Sequence, residues 1–236
     1  MQSVMIIKNV KVFTEDKTFE PGAIGIENGI FKNNLFDSGE IIDGEGCYAI
    51  PGLIDVHFHG CMGYDFCDGT KEAIEKIAEY EASQGVTTIV PATMTLSEEE
   101  LMKIMANGGT YENKEGAAVL AGINMEGPFI CSKKKGAQAA THIHKPDVAM
   151  FRRLQEAANG LIRLVDIAPE VEGAMEFISE LKDEVHISFA HTTADYDTAK
   201  TGYALGACHA THLYNAMPPF THREPGVIGA RSEERR

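Results

Sequence analysis

A chain of 236 residues, 44% of them hydrophobic, is long enough for one large domain or for one domain plus a small one. With 21 basic residues against 35 acidic ones the formal charge is −14, an acidic field that argues against nucleic acid or an anionic membrane as partner. No hydrophobic run approaches the ~20 residues of a membrane span, the apolar patch at Met1–Lys8 is too short for a secretory signal, and five scattered cysteines without a Cys-x-x-Cys pair fit reduced thiols in the cytoplasm.

Residues 1–50 predict a small β-domain. Val4 to Val12 alternates loosely, and Pro21-Gly22, Asn28-Gly29 and Asp43-Gly44-Glu45-Gly46 are turn signals between short apolar pieces. From Pro51 to residue 236 the pattern changes to strands alternating with helices. Pro51 to Gly60 reads as an apolar strand that runs into His57 and His59, with Asp55 behind them; alternation along a strand turns both imidazoles the same way. Thr70 to Ser83 is helical by spacing, with Thr70 as its cap. Val86–Val90 is a β-branched strand, and Ser97 followed by three glutamates opens the next helix.

Ala117–Asn124 is a third strand, ending at Glu126. Asp147–Ala158 is helical, Leu161–Ile167 a fourth strand, Gly173–Leu181 a helix, and Val185–Ala190 a fifth strand ending at His191. A helix over Asp195–Leu205 then leads to a sixth strand, Gly206–His212. Near-continuous apolar strands separated by helices predict a parallel sheet covered on both faces, and polar residues at the carboxyl ends of successive strands are where a (β/α)8 barrel carries its chemistry. The fold expected is therefore α/β, a TIM-type (β/α)8 barrel over residues 51–236. Six strands are fewer than the eight of a full barrel. Together with the charged run Arg231–Arg236, this predicts an incomplete, C-terminally truncated barrel of about six βα units.

Candidate metal ligands thus stand at four strand ends: His57 with His59, Glu126, His191 and His212. Read singly, Glu126 could cap a helix and each histidine could be an ordinary core or strand-end residue. Nitrogen and oxygen donors gathered at one rim are the ligand chemistry of zinc and related divalent ions.

The wording of these segments resembles a known family. Pro51 to Gly60 is similar to the opening signature of the metal-dependent amidohydrolases. Gly63-Tyr64-Asp65-Phe66, Glu126-Gly127-Pro128-Phe129, Ala190-His191-Thr192, Thr211 to Met217 and Arg223-Glu224-Pro225-Gly226 together resemble the N-acetylglucosamine-6-phosphate deacetylases. The resemblance implies a metal-dependent hydrolase that converts N-acetylglucosamine 6-phosphate into glucosamine 6-phosphate and acetate. Glu126, His191 and His212 would hold the principal ion, zinc or else iron, manganese or cobalt, and His57 with His59 a second one, so one or two ions in all. Water activated by metal would attack the acetamide carbonyl.

Substrate contacts are implied for Asn215 and Ala216, by backbone N–H groups and the side-chain amide, at the phosphate. Arg223 would reach the phosphate of a neighbouring subunit, which makes a homodimer the expected assembly. Gln138 stands where many relatives have a histidine and could still donate to the carbonyl oxygen. The run Lys133-Lys134-Lys135 is expected to be a solvated loop. The family's catalytic aspartate, on the eighth strand, is expected beyond residue 236, so no catalytic residue is assigned and the fragment is expected to be nearly inactive. Two alternatives are another amidohydrolase, a cyclic amidase or deaminase, and an inactive metal-binding fragment.

Overall fold

The structure is a computed structural model that describes residues 4–32 and 36–234; Arg235 and Arg236 of the charged run lie outside these. Contacts divide the chain into two compact units, Met1–Gly52 and Leu53–Arg236.

The first unit is one mixed sheet of β1 (Val4–Phe13), β2 (Phe19–Glu27), β3 (Ile30–Lys32), β4 (Glu40–Asp43) and β5 (Tyr48–Ala49). Its order is β3-β2-β1-β4, with β5 also on β1. Asn28 and Gly29 take φ of +52° and +76° and close the β2–β3 hairpin, the paired left-handed conformation that Asn-Gly tolerates. Pro21-Gly22 is not a turn. Pro21 sits inside β2 opposite Lys11, where among the described residues β2 pairs with β1 alone, β3 reaching no further than Gly25. A proline costs a strand nothing along an edge whose N–H would have had no partner.

The second unit begins with β6 (Leu53–Asp55) and a two-residue hairpin of β7 (Gly60–Cys61) and β8 (Tyr64–Asp65). There follow α1 (Lys71–Ser83), β9 (Val86–Ile89), α2 (Glu98–Gly109), β10 (Val119–Leu120) and β11 (Ile123–Met125). Next come α3 (Val148–Ala157), β12 (Ile162–Ile167), α4 (Ala174–Leu181), β13 (His186–Phe189), α5 (Tyr196–Leu205), β14 (His209–Ala210) and α6 (Gly226–Glu234). Two parallel sheets, β10-β9-β6 and β11-β12-β13-β14, are joined by a bridge between Ala92 and Asn124, giving a partial barrel. The capping hydroxyls act as their positions suggest: Thr70 Oγ1 accepts from Ala73 N–H, and Ser97 forms a reciprocal box with Glu100.

Two expectations need correction. The histidine strand stops at Asp55, so His57 and His59 belong to the loop beyond β6, where Asp55 Oδ1 accepts from His57 N–H. The charged run is not a loose tail as far as residue 234. It continues α6, whose Val227, Ile228 and Ala230 join the core, and Arg231 lies over the Tyr203 ring at 5.6 Å.

The core lies between the sheets and their helices: Ile74, Ile77, Leu101, Phe151, Phe177 and Leu181 cover Ile89, Val165, Ile167, Ile187 and Phe189. Alternation then places Leu164 and Asp166 of β12 on the opposite, inward face; Leu164 shares an apolar cleft with Val56, Val90 and His209. Packing is tight where α5 crosses β13. A Cβ at Gly202 would fall 2.5 Å from Phe189 Cζ, and that ring is fully buried and packed, tilted by 39°, against Tyr203 with centroids 4.5 Å apart. Gly202→Ala is therefore expected to destabilise the chain by about 1–3 kcal/mol, measured by urea unfolding.

Candidate metal centre

Glu126 follows β11 and is almost wholly buried, with 1% of its surface exposed. Gly127 behind it takes φ of +74°, and a Cβ there would fall on Thr95 Oγ1, so only glycine lets the chain turn away directly after the carboxylate. Four imidazoles face Glu126. His191 Nε2 lies 2.8 Å and His212 Nε2 3.2 Å from Oε1. His59 Nε2 lies 3.1 Å and His57 Nε2 3.8 Å from Oε2. Donor atoms of His57, Glu126 and His212 fall within 4.8 Å of one another, a possible metal site.

The donor set fits a divalent ion. His191 Nδ1 is 2.8 Å from the Lys134 carbonyl and His212 Nδ1 3.1 Å from the Asn215 carbonyl. A carbonyl only accepts, so both Nδ1 atoms carry the hydrogen, and in the neutral rings both Nε2 atoms present lone pairs. Those two Nε2 atoms are 3.1 Å apart, beside a carboxylate oxygen. Three acceptors so crowded repel one another unless a cation sits among them. Tetrahedral zinc, with ligand bonds of ~2.0–2.1 Å, spaces its donors by roughly 3.3 Å. Glu126 Oε2, buried and without a well-aligned hydrogen bond, is a further free donor.

Electrostatics follow the same convergence. Burial pushes the Glu126 carboxyl up, but in the metal-free chain Nε2–H bonds from His191, His212 and His59 in their doubly protonated forms, together with the charge of His57, overcome it and hold the group well below the usual carboxylate range. Hydrogen bonding to Glu126 raises His59 and His212, burial opposing it in each, whereas burial lowers His57 despite the attraction of Glu126.

Three strand-end loops are tied together around these groups. Cys131 N–H donates to the His191 carbonyl and Thr192 N–H to the Ala216 carbonyl. His191 and His212 both have positive φ, +45° and +35°, a strain that such a network has to hold in place. Lysines 134 and 135 take part, contrary to the expectation of a solvated run. Lys134 Nζ donates to the Met217 carbonyl, and Lys135 Nζ to the carbonyls of Gly136 and Gln138, because unsatisfied loop carbonyls lie within reach of their long stems. Lys133 is exposed.

The expected substrate residues are placed as follows. Asn215 donates its backbone N–H to the His212 carbonyl, closing the turn, which leaves its carboxamide and the Ala216 N–H without partners among the described residues. Gln138 is buried; its Oε1 accepts from Thr95 N–H at 2.6 Å and its Nε2 lies 3.8 Å from Met94 Sδ. Arg223 is exposed and lines another cleft with Asp195, Asp197 and Pro218.

Two neighbours of the centre were missed in the sequence. Asn124, two residues before Glu126, places its Nδ2 3.1 Å from both the Val56 carbonyl and His57 Nδ1. Glu170, just past the end of β12, accepts from Thr192 Oγ1 and from the N–H and Oγ1 of Thr193, clamping the segment after His191. A carboxylate just beyond a strand end was the only local signal for Glu170. Glu170→Ala is expected to weaken zinc binding about 10–100-fold, as loss of a partner that orients a ligand does, checked by competition with a chromogenic chelator.

Residues 48–231 match the amidohydrolase family. The chain is 35% identical to the N-acetylglucosamine-6-phosphate deacetylase of Bacillus subtilis (strain 168) over 97% of its own length and 61% of that protein's. Among solved structures it is similar to the N-acetylglucosamine-6-phosphate deacetylase of Pasteurella multocida (TM-score 0.86, 25% identity, 96% of this chain and 61% of that one). It is also similar to that of Mycobacterium smegmatis, solved as an aspartate-to-alanine mutant in complex with N-acetyl-D-glucosamine-6-phosphate (TM-score 0.85, 28% identity, 98% and 61%). The chain spans about three fifths of the length of these relatives. With donors at the strand ends and the family match running through all of them, the chain belongs to the amidohydrolase family.

Proposed function

We propose that this chain carries the metal centre and part of the phosphate site of a hydrolase that removes the acetyl group of N-acetylglucosamine 6-phosphate. The observation that carries the reading is the gathering of four imidazoles from three loops on the Glu126 carboxylate. The substrate is proposed from the proteins to which the chain is similar, which bear that name. Glu126, His191 and His212 would hold the principal ion, with His57 and His59 beside it. Zinc comes first, with iron, manganese and cobalt as other ions that such a nitrogen and oxygen set accepts. When bound, a divalent ion supplies Lewis acidity, making water acidic enough to act as nucleophile near neutral pH and polarising an amide carbonyl.

The protein's own groups do the rest. The carbonyls of Lys134 and Asn215 fix the histidine tautomers. The Asn215 carboxamide and the Ala216 N–H are donors suited to phosphate oxygens. A homodimer in which Arg223 serves the neighbouring subunit's phosphate site is part of the proposal, as is a cytoplasmic setting, supported by five free cysteines. No helix among the described residues is long and apolar enough to cross a membrane.

The test is calorimetric titration of the zinc-loaded chain with N-acetylglucosamine 6-phosphate, unphosphorylated N-acetylglucosamine and a dihydropyrimidine. Saturable binding of the phosphosugar, at least tenfold tighter than the other two, is expected. Preference for the cyclic amide would replace this reading by a cyclic amidase.

A further inference from the structure

The four imidazoles around Glu126 are not equivalent in what holds their far nitrogens. His191 and His212 each donate Nδ1–H to a backbone carbonyl, the arrangement that frees Nε2 for a metal. His57 has a different neighbour. Asn124 Nδ2 stands 3.1 Å from the Val56 carbonyl and 3.1 Å from His57 Nδ1, while Asn124 Oδ1 is buried without a partner. The Val56 carbonyl can only accept, so the atom facing it has to be the nitrogen of the carboxamide, which settles the orientation of the Asn124 amide. One Nδ2 hydrogen goes to Val56; the other points at His57 Nδ1. That nitrogen therefore presents its lone pair, and the ring hydrogen sits on Nε2, the atom that faces Glu126 Oε2 at 3.8 Å.

Resting on the metal reading above, we infer that Asn124 holds His57 in the tautomer that withholds its Nε2 lone pair, so that the centre binds one divalent cation tightly on Glu126, His191 and His212 and a second at the His57–His59 side only weakly. Ligation through His57 Nε2 would move the ring hydrogen to Nδ1, against an N–H of Asn124. Turning the carboxamide over would relieve that clash only by setting Oδ1 against the Val56 carbonyl. Either way a buried polar contact is lost, and leaving such a group unsatisfied is costly. Asn124 is a positioning residue: it acts through His57.

Two measurements decide this. Long-range proton–nitrogen NMR on chelator-treated protein, with His57 assigned by comparison with His57→Gln, reads the tautomers directly. The hydrogen is expected on Nε2 of His57 and on Nδ1 of His191 and His212; Nδ1–H on His57 overturns the inference. Zinc content after dialysis at fixed free zinc then compares the natural chain with Asn124→Asp, whose carboxylate accepts Nδ1–H, and with Asn124→Ala, which removes the opposing donor. About one zinc per chain is expected for the natural protein, with second-ion affinity raised about 10–100-fold in Asn124→Asp and raised also in Asn124→Ala. Two equally tight ions in the natural chain, or no gain in either variant, overturns the inference. Zinc bound by none of the three would instead remove the metal centre itself, while the NMR result would still decide the role of Asn124.

Discussion

Glu126→Gln is expected to abolish zinc-dependent stabilisation of this chain. Among the described residues the carboxylate is the one anionic group that all four imidazoles face, and its two oxygens serve different pairs of them. A neutral carboxamide keeps the shape but puts an NH2 group among nitrogen lone pairs, so one of its two positions repels the cation. Binding to the native state stabilises a protein by RT ln(1 + [L]/Kd), about 4.1 kcal/mol at a thousandfold excess over Kd. For a chain of this size that corresponds to a rise of roughly 8–16 °C in Tm. The natural protein should show this rise between chelator and zinc, and Glu126→Gln should show almost none at the same zinc concentration. His144→Gln, altering an exposed histidine outside the centre, should behave as the natural chain does. An undiminished zinc shift in Glu126→Gln would remove Glu126 from the centre.

What could be read from the sequence was set by distance along the chain. His57, His59, Glu126, His191 and His212 each interrupt or end an apolar run, so the strand periodicity marks them, and the parallel topology brings strand ends to one rim. The partners that fix their geometry carry no such mark. Asn124 looks like one residue of a strand until Val56 and His57, 68 and 67 positions away, arrive beside it. Lys134 lies in a run that reads as charged surface, yet its carbonyl sets the tautomer of a histidine 57 positions on. Pro21-Gly22 has the local chemistry of a turn and was overridden because β2 is an edge there. Local propensity is a weak prior wherever pairing decides. The helix α6 was hidden by its charged end, since the apolar side that commits it, Val227, Ile228 and Ala230, is short.

Asp166 shows how an inward-facing polar residue is bought with stability, and its replacement should make that cost visible. It is fully buried on β12; Oδ1 accepts from Thr211 Oγ1 at 2.6 Å, Thr211 Oγ1 lies 2.7 Å from Ser188 Oγ, and Oδ2 has no hydrogen-bond partner among the described residues. Burial pushes its carboxyl up to about 7, with the hydrogen bond from Thr211 opposing and the charge of Glu126 adding to the rise. Below pH ~4 the group is protonated both folded and unfolded, and costs nothing. As pH rises from about 4 to about 7 the unfolded chain gives up this proton while the folded chain keeps it, so stability falls by about 1.4 kcal/mol per unit, and above the folded value the loss is complete. Asp166→Asn keeps an oxygen for Thr211, and with it the support of the residue next to His212, but has no proton to retain. Urea unfolding of both proteins in chelator at pH 5, 6 and 7 should find the variant gaining on the natural chain by roughly 2 kcal/mol between pH 5 and pH 7. Parallel pH profiles for the two would mean that Asp166 is ionised in the folded chain, and that the network running from Thr211 to Ser188 solvates a charge.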